Sequence, residues 1–350
     1  MKVLQLIDSL EPGGAERIAV TYANSLCDPL EASFLCTTRA EGLLKGALKD
    51  KVGYLFLKKK RTLDYSALFR LKRFVKANKI DIVQAHTTSY FFATLLKLIY
   101  PKIQLIWHEH HGNRIHTKGS DHKALYWCSK FFSKIVVVNP DLKRWCETNL
   151  ATKEVIYIPN FIVFEGEPEE VQTRSNIICC LANLRDPKNH MLLLKAFRRI
   201  HEAHPDWKLQ LIGKDFNDNY SEGLKNFIKE HRLSAAVTIE GSISAVQPQL
   251  QQATIGVLSS SSEGLPMSLL EYGMAGLYPI ATNVGYCREV ISTFGAVVES
   301  NNEEALTTAL RIAIEDRTWR IQQAGLYTAH IKKHYSLEGV LPELLKIYKN

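Results

Sequence analysis

The sequence predicts an α/β protein of two domains, each a doubly wound parallel sheet covered by helices, with a cleft between them. Three observations lead there. A chain of 350 residues is long for one ordinary core and fits two of roughly 150 residues each. Strand-like and helix-like segments alternate along its length, as βα units do. The alternation breaks at "PNFIVFEGEPEEVQTRSN", 159–176, where prolines, a glycine and an acidic cluster gather. The expected division is 1–163 and 164–325, with the strand-free helical tail 326–350 crossing back to the first domain.

In chain order the first half offers the strands "KVLQLID", "EASFLCTT", "VGYLFL", "DIVQAH", "QLIWHEH", "KIVVVN" and "EVIYIP". The second half offers "NIICCLANL", "KLQLIG", "AVTIEG", "TIGVLS", "YPIAT" and "GAVVES". Most are short, nearly continuous apolar runs, the mark of strands buried on both faces. Ligands of open parallel sheets bind beyond the carboxyl ends of the strands, so each strand-to-helix turn is a candidate site.

Hydrophobic residues make up 46% and charged residues 23% of the chain, and no low-complexity tract or repeat period points to disorder or a solenoid. In the opening "MKVLQLIDSL", Gln5 and Asp8 break the apolar run short of a signal peptide's core. Nowhere do the roughly 18 apolar residues of a membrane span run together. The expectation is a cytoplasmic protein, peripheral on the cytoplasmic face of the membrane. Seven cysteines without C-x-x-C spacing read as reduced, mostly buried thiols. The net charge of +8 is uneven: residues 1–160 carry 25 Lys and Arg against 14 Asp and Glu, and residues 161–350 carry 19 against 22. Between Lys45 and Lys79, 12 basic residues face only Asp50 and Asp64, a patch for an acidic partner or a solvated face. No nucleic-acid motif accompanies the charge, so nucleic acid is not expected as a partner.

The first turn, "DSLEPGGAER", places Gly13 and Gly14 at a helix start, where backbone N–H groups and the helix dipole suit an anion. It lacks G-x-G-x-x-G and a Walker lysine, which argues against a dinucleotide cofactor or a nucleotide-hydrolysing loop. "WHEHHGNRIH" ends the fifth strand. Strand alternation sends His108 and His110 to one face and His111 to the other, so no metal centre is expected there. His111 suits a hydrogen bond donated into a cleft, and His86, ending "DIVQAH" at the same level, is expected to line that cleft on the acceptor side. "ANLRDPKNH" puts Arg185 and Lys188 where fixed positive charge grips a diphosphate. In "SSSSEGLPMSLLE" a helix beginning at Pro266 points the amides of Leu265, Met267 and Ser268 at a ligand. Glu263 stands before that helix. Glu271, more than a turn along it, can accept two hydrogen bonds from vicinal hydroxyls such as those of a ribose.

These stretches occur together and in order. Gly-Gly-Ala-Glu-Arg near the start, His111-Gly112, "IPN" at the join, "NLRDPKNH" and "EGLPMSLLEYGMAGLYPIATNVGYCREVI" closely resemble the motifs of glycosyltransferase family 4 across nearly the whole chain. The pair Glu263 and Glu271, seven residues between them, is the most specific. The resemblance implies a GT-B architecture of two Rossmann-like domains, and retaining transfer of a hexose from a nucleotide sugar to a hydroxyl without cofactor or bound metal. A UDP-sugar is expected ahead of a GDP-sugar. It makes Glu271 the ribose ligand and Glu263 a contact to the donor sugar, helped by the amides from Gly264 to Ser268. Arg185 and Lys188 would hold the diphosphate, with Gly13 and Gly14 closing over it. His111 would sit beside the reacting sugar, and the backbone near Ser242 and Ile243 would meet the base. Two departures stand out: Asn183 occupies the place of an arginine common in the family, with Arg185 two positions on, and Tyr272 and Tyr278 replace a small residue and a proline.

For the acceptor, "LDYSALFRLKRFVKANK" places Leu68, Leu71 and Val75 on one helical face among Arg70, Lys72 and Arg73, after the run Lys58, Lys59, Lys60 and Arg61. A helix of that kind fits an anionic membrane surface, and the acceptor is then a lipid-linked glycan of cell-surface polysaccharide assembly. A nucleotide-sugar epimerase on the same fold and a non-catalytic nucleotide-sugar-binding partner subunit are the alternatives. An epimerase would need no acceptor.

Overall fold

The computed structural model describes residues 1–112, 114, 122–152, 154–163, 174–243 and 246–349. The stretch 164–173, where the sequence puts the join, lies outside them. The chain divides into two compact units, Met1–Asn160 together with Val340–Asn350, and Phe161–Gly339.

The first unit holds a sheet of seven parallel strands: β1 (Lys2–Ile7), β2 (Ala32–Thr37), β3 (Gly53–Phe56), β4 (Ile82–His86), β5 (Gln104–Glu109), β6 (Lys134–Val137) and β7 (Val155–Tyr157), in the order β3-β2-β1-β4-β5-β6-β7. Between them run α1 (Gly14–Leu26), α2 (Tyr65–Ala77), α3 (Tyr90–Ile99), α4 (Lys123–Ser129) and α5 (Pro140–Asn149). The second unit repeats the plan with β8 (Ile177–Leu181), β9 (Lys208–Ile212), β10 (Val237–Gly241), β11 (Ile255–Leu258), β12 (Tyr278–Thr282) and β13 (Ala296–Val298), in the order β10-β9-β8-β11-β12-β13. Its helices are α6 (His190–Ala203), α7 (Asn219–Glu230), α8 (Gln247–Gln252), α9 (Met267–Ala275), α10 (Cys287–Ile291), α11 (Glu303–Glu315) and α12 (Arg317–Tyr335). All thirteen strands read from the sequence form. In both sheets the order reverses beside the first strand of the unit, the place where doubly wound sheets open a ligand crevice. This is the two-domain α/β plan of the GT-B fold.

The chain returns to the first unit later than the sequence suggests. The tail expected to cross from 326 includes most of α12, which belongs to the second unit. Tyr327 Oη donates to the Leu269 carbonyl at 2.8 Å and Thr328 Oγ1 to that of Gly273 at 2.8 Å, so α12 is bonded along α9. Only α13 (Leu337–Lys349) makes the return, burying Leu344, Ile347 and Tyr348. Lys134 Nζ meets the Ile347 carbonyl at 3.0 Å, a cation at a helix C-terminus.

α2 also departs from its sequence reading. Asp64 caps it, accepting from the Ala67 amide at 2.9 Å. Leu68, Leu71 and Val75 are buried in the unit's own core, so they are not the membrane-facing stripe. The apolar side chains left exposed are Leu63, Tyr65 and Phe69, the last two 69% and 59% accessible. Lys59 is corrected as well: it is buried, with Nζ 3.9 Å from Asp8 and over the Phe92 ring, while Lys58, Lys60 and Arg61 are exposed. No described helix is long and apolar enough to cross a membrane. Six of the seven cysteines are buried and Cys27 is half-buried, all as free thiols.

Candidate active site

In the second unit β8 and β11 are neighbours in one sheet, and the loops that leave their carboxyl ends meet. Lys188 Nζ donates to Glu263 Oε1 at 2.6 Å, and Ser260 Oγ donates to the same oxygen at 2.5 Å. The serine run fastens the two loops together. Ser259 Oγ reaches the Lys188 carbonyl at 3.1 Å, and the Ser261 amide reaches the Pro187 carbonyl at 2.8 Å. Thr282 Oγ1, at the end of β12, holds the Ser260 carbonyl from the other side. Gly285 closes the arrangement: its φ is +51°, and a Cβ there would lie 2.2 Å from the Glu263 carbonyl oxygen. A side chain at 285 would therefore push Glu263 out of place.

α9 begins at Met267, with Pro266 flanking the helix instead of opening it, a one-residue correction. No side chain caps this end. The first amides of a helix have no intrahelical acceptor, so those of Met267 and Ser268 are oriented for an anion or hydroxyl. Glu271 is 94% buried within the helix. A carboxylate in that setting is positioned by its helix instead of wandering in solvent.

Arg185 is not brought to Glu263. It is exposed, and its guanidinium lies 6.0 Å over the Phe216 ring. Asn183, in the arginine's place, braces the loop after β9 by accepting from the Lys214 amide at 2.9 Å. Ser242 and Ile243 follow β10, and Ser242 Oγ is a buried hydroxyl with no hydrogen-bond partner among the described residues. Tyr272 is fully buried: its hydroxyl accepts from the Leu181 amide at 2.8 Å and donates to the Val257 carbonyl at 3.0 Å. Gly256 makes room for its ring, since a Cβ there would lie 2.5 Å from it. The tyrosine thus ties β8 to β11 beneath the loops of Lys188 and Glu263. Tyr278 packs on Trp319 away from them.

In the first unit Gly13 is the N-cap of α1, in extended backbone, with the flexible end of Glu16 nearest to its missing Cβ. His111 stands just beyond β5, its side chain 55% accessible. The residue that sequence reasoning missed is Glu109. Fully buried, it accepts the amides of His110 and His111 at 2.9 and 2.8 Å on Oε1, with His111 Nδ1 3.2 Å away and Arg114 on Oε2. Burial alone would raise its pKa, but the His111 bond and the Arg114 charge overcome that and bring it down to about 2. In turn the bond to Glu109 raises His111 above the ordinary histidine value. The signal available in the sequence was an acid at the end of a strand that is otherwise buried.

His86 is not on any surface. It is fully buried, and its expected place beside an acceptor is corrected to the core. Its Nε2 donates to Gln5 Oε1 at 2.8 Å and its Nδ1 lies 3.0 Å from His110 Nε2. Gln84 Nε2 donates to His108 Nδ1 at 2.9 Å, while Gln84 Oε1 accepts from Tyr348 of α13. His86, His108 and His110 offer ring nitrogens within 4.8 Å of one another, the donor type of a transition-metal site. Their hydrogen bonds fix the protons, however. A neutral His86 must accept from His110 Nε2–H, and His108 must carry its proton on Nε2. Of the two ring nitrogens left without a partner, His108 Nε2 and His110 Nδ1, only the second then has a lone pair to give. The trio fits a neutral core cluster better than a three-nitrogen metal site.

A family model described as "Glycosyltransferase Family 4" matches residues 12–165, and one described as "Glycosyl transferases group 1" matches residues 164–329. Together they account for most of the chain. The chain belongs to the family 4 glycosyltransferases. Over 347 residues it is 22% identical to an uncharacterized glycosyltransferase of Haemophilus influenzae, covering 95% of each chain. It is 24% identical to a Campylobacter jejuni α-1,4-N-acetyl-D-galactosaminyltransferase whose name specifies a diphosphate-undecaprenol-linked acceptor, covering 91% of this chain and 90% of that one. To the Erwinia amylovora amylovoran biosynthesis glycosyltransferase AmsD it is again 24% identical, with 91% and 92% covered. Among solved structures, Anabaena HepE in complex with UDP-glucose superimposes with a TM-score of 0.83 at 16% identity, covering 99% of both chains. As a member of this family the protein is a glycosyltransferase.

Proposed function

We propose that this glycosyltransferase moves a hexose, with retention of anomeric configuration, from a UDP-sugar to a hydroxyl of a lipid-linked glycan, without a divalent metal. The observation that carries the reading is the Lys188–Glu263–Ser260 cluster beside the uncapped start of α9, with Glu271 inside the helix. In this reading Glu271 holds the ribose, Glu263 the donor sugar, and the unpartnered Ser242 hydroxyl with Ile243 faces the base. The bond from the anomeric carbon to the diphosphate oxygen breaks as the bond to the acceptor oxygen forms on the same face. The acceptor's proton passes to the departing phosphate. Lys188 retains two ammonium donors beyond the one on Glu263 and, with Arg185 and the α9 amides, stabilises the growing phosphate charge.

The uridine preference draws on solved relatives that hold UDP or UDP-glucose, and the acceptor class on the undecaprenol-linked acceptor named for the Campylobacter relative. Tyr65, Phe69 and Arg73 follow one another at four-residue spacing on α2, one helical row that offers exposed aromatic and basic groups to an anionic bilayer. A donor panel scored for binding and for nucleoside diphosphate release tests the reading. UDP-sugars are expected to bind and turn over in excess EDTA, and Glu271→Ala to lose binding by about tenfold or more, near 1.4 kcal/mol. If no nucleotide sugar binds, or Glu271→Ala binds as the parent does, the site assignment fails.

A further inference from the structure

The second unit carries a cavity of ≈ 470 Å³ at the end of its sheet opposite to Lys188 and Glu263. Asn176, Thr254 and Gly276 line it, each standing just before a strand (β8, β11 and β12), so the cavity opens at the amino-terminal edge of the sheet. Its remaining wall is α12, through Arg317, Arg320, Ile321, Gly325 and Thr328, with Arg174 entering ahead of β8. The volume falls within the range of small-molecule sites.

Three features of this wall ask for an occupant. First, among the described residues its positive charge meets carbonyls and, for Arg320, the Trp207 ring at 5.5 Å, but no carboxylate. Arg174 gives its two terminal nitrogens to the carbonyls of Ala253 and Ala275, and Arg320 gives Nη1 to those of Ala313 and Ile314. Among the described residues neither these two nor Arg317 forms an ion pair with a carboxylate. Asp316 acts on Arg320 only through space, its own side chain being bonded to the Trp319 amide. Burial pushes the pKa of both Arg174 and Arg320 down, as expected of cations held without a counter-ion. Second, Arg320 is 94% buried, yet its Nε has no hydrogen-bond partner among the described residues, and an orphaned buried donor costs about 1–3 kcal/mol. Third, Gly325 sits in the middle of α12, where glycine costs about 0.5–1 kcal/mol relative to alanine. A Cβ at 325 would meet nothing within 4 Å, and the φ there is not in the left-handed region, so neither crowding nor backbone conformation requires glycine. Beside the arginines, Ile321 is 59% exposed.

We propose that this cavity is a second ligand site, for an amphiphilic phosphate: a phosphate monoester held by Arg174, Arg317 and Arg320, with an apolar chain lying over Ile321 and Gly325. The ligand need not be a substrate. The Ala275 carbonyl that Arg174 holds is the last residue of α9, so an occupant rests against the far end of the helix that carries Glu271. The site does not depend on the donor reading, because it is tested by alkyl phosphate binding and not by transfer.

The test is titration calorimetry of the full chain with decyl phosphate below its micelle concentration. One saturable site is expected, with inorganic phosphate and uncharged decyl maltoside each binding more weakly by about tenfold or more. Gly325→Trp fills the cavity and is expected to lose decyl phosphate by a similar factor, while Gly325→Ala, which leaves most of it open, binds as the parent. Arg317→Glu, an exposed position, is expected to weaken binding severalfold with an unchanged unfolding midpoint. Equal binding to Gly325→Trp overturns the proposal, as does equal affinity for inorganic phosphate or for the maltoside. Loss of binding in both Gly325 variants, which would mark a structural effect on α12, overturns it too.

Discussion

Glu109 and His111 show how one buried carboxylate sets the character of an exposed ring. With Nδ1 turned to Glu109, His111 presents Nε2 outward, and the raised pKa favours the charged, donating form. Glu109→Gln keeps the shape and removes the charge, so the His111 pKa is expected to fall toward the ordinary value near 6.5. Proton-detected titration of the ring by NMR checks this, and an unmoved pKa would show that Glu109 serves only to hold the backbone. Lys188 and Glu263 stand out in the sequence as charged residues in strand-to-helix turns, and Glu271 by its spacing from Glu263 within the helix that follows. It could not show that Ser260 and Lys188 share one oxygen of Glu263, or that Glu109 folds onto His111. Those contacts depend on rotamers and loop register that no spacing rule encodes.

At the scale of elements, both sheets were legible because strands buried on both faces appear as short apolar runs between turn signals. α2 was not, for a definable reason. A stripe at Leu68, Leu71 and Val75 satisfies the helical period whether it meets a core or a bilayer, and only the tertiary structure decides. The two faces give a paired expectation. Leu71→Ala removes a fully buried side chain and is expected to cost about 2–5 kcal/mol in urea unfolding. Phe69→Ala is expected to shift stability by less than about 0.5 kcal/mol while weakening binding to phosphatidylglycerol vesicles in a flotation assay. Vesicle binding that survives Phe69→Ala and Tyr65→Ala together would remove this face from the membrane reading.

For the whole molecule, the core histidines tie stability to acidity. Burial holds His86 at about 3, and His108 and His110 well below the ordinary histidine value. As pH falls below ~6.5 the unfolded chain takes up protons that the folded chain refuses. Stability carried by the neutral rings is therefore complete above that pH and drains as pH drops toward the folded values. Glu109 adds the same sign lower down, its contribution present above ~4.3 and lost as pH approaches 2. Urea unfolding of the first unit between pH 7 and 5 is expected to show this slope, and His108→Gln to make it shallower; a flat profile would mean that the rings are solvated. Gln84, which orients His108, is itself held by Tyr348. The first unit thus takes its last core side chains from Val340–Asn350. On a ribosome, the first unit cannot be completed before the second: it must wait through synthesis of residues 161–339, its place for α13 uncovered, until residues 340–350 emerge.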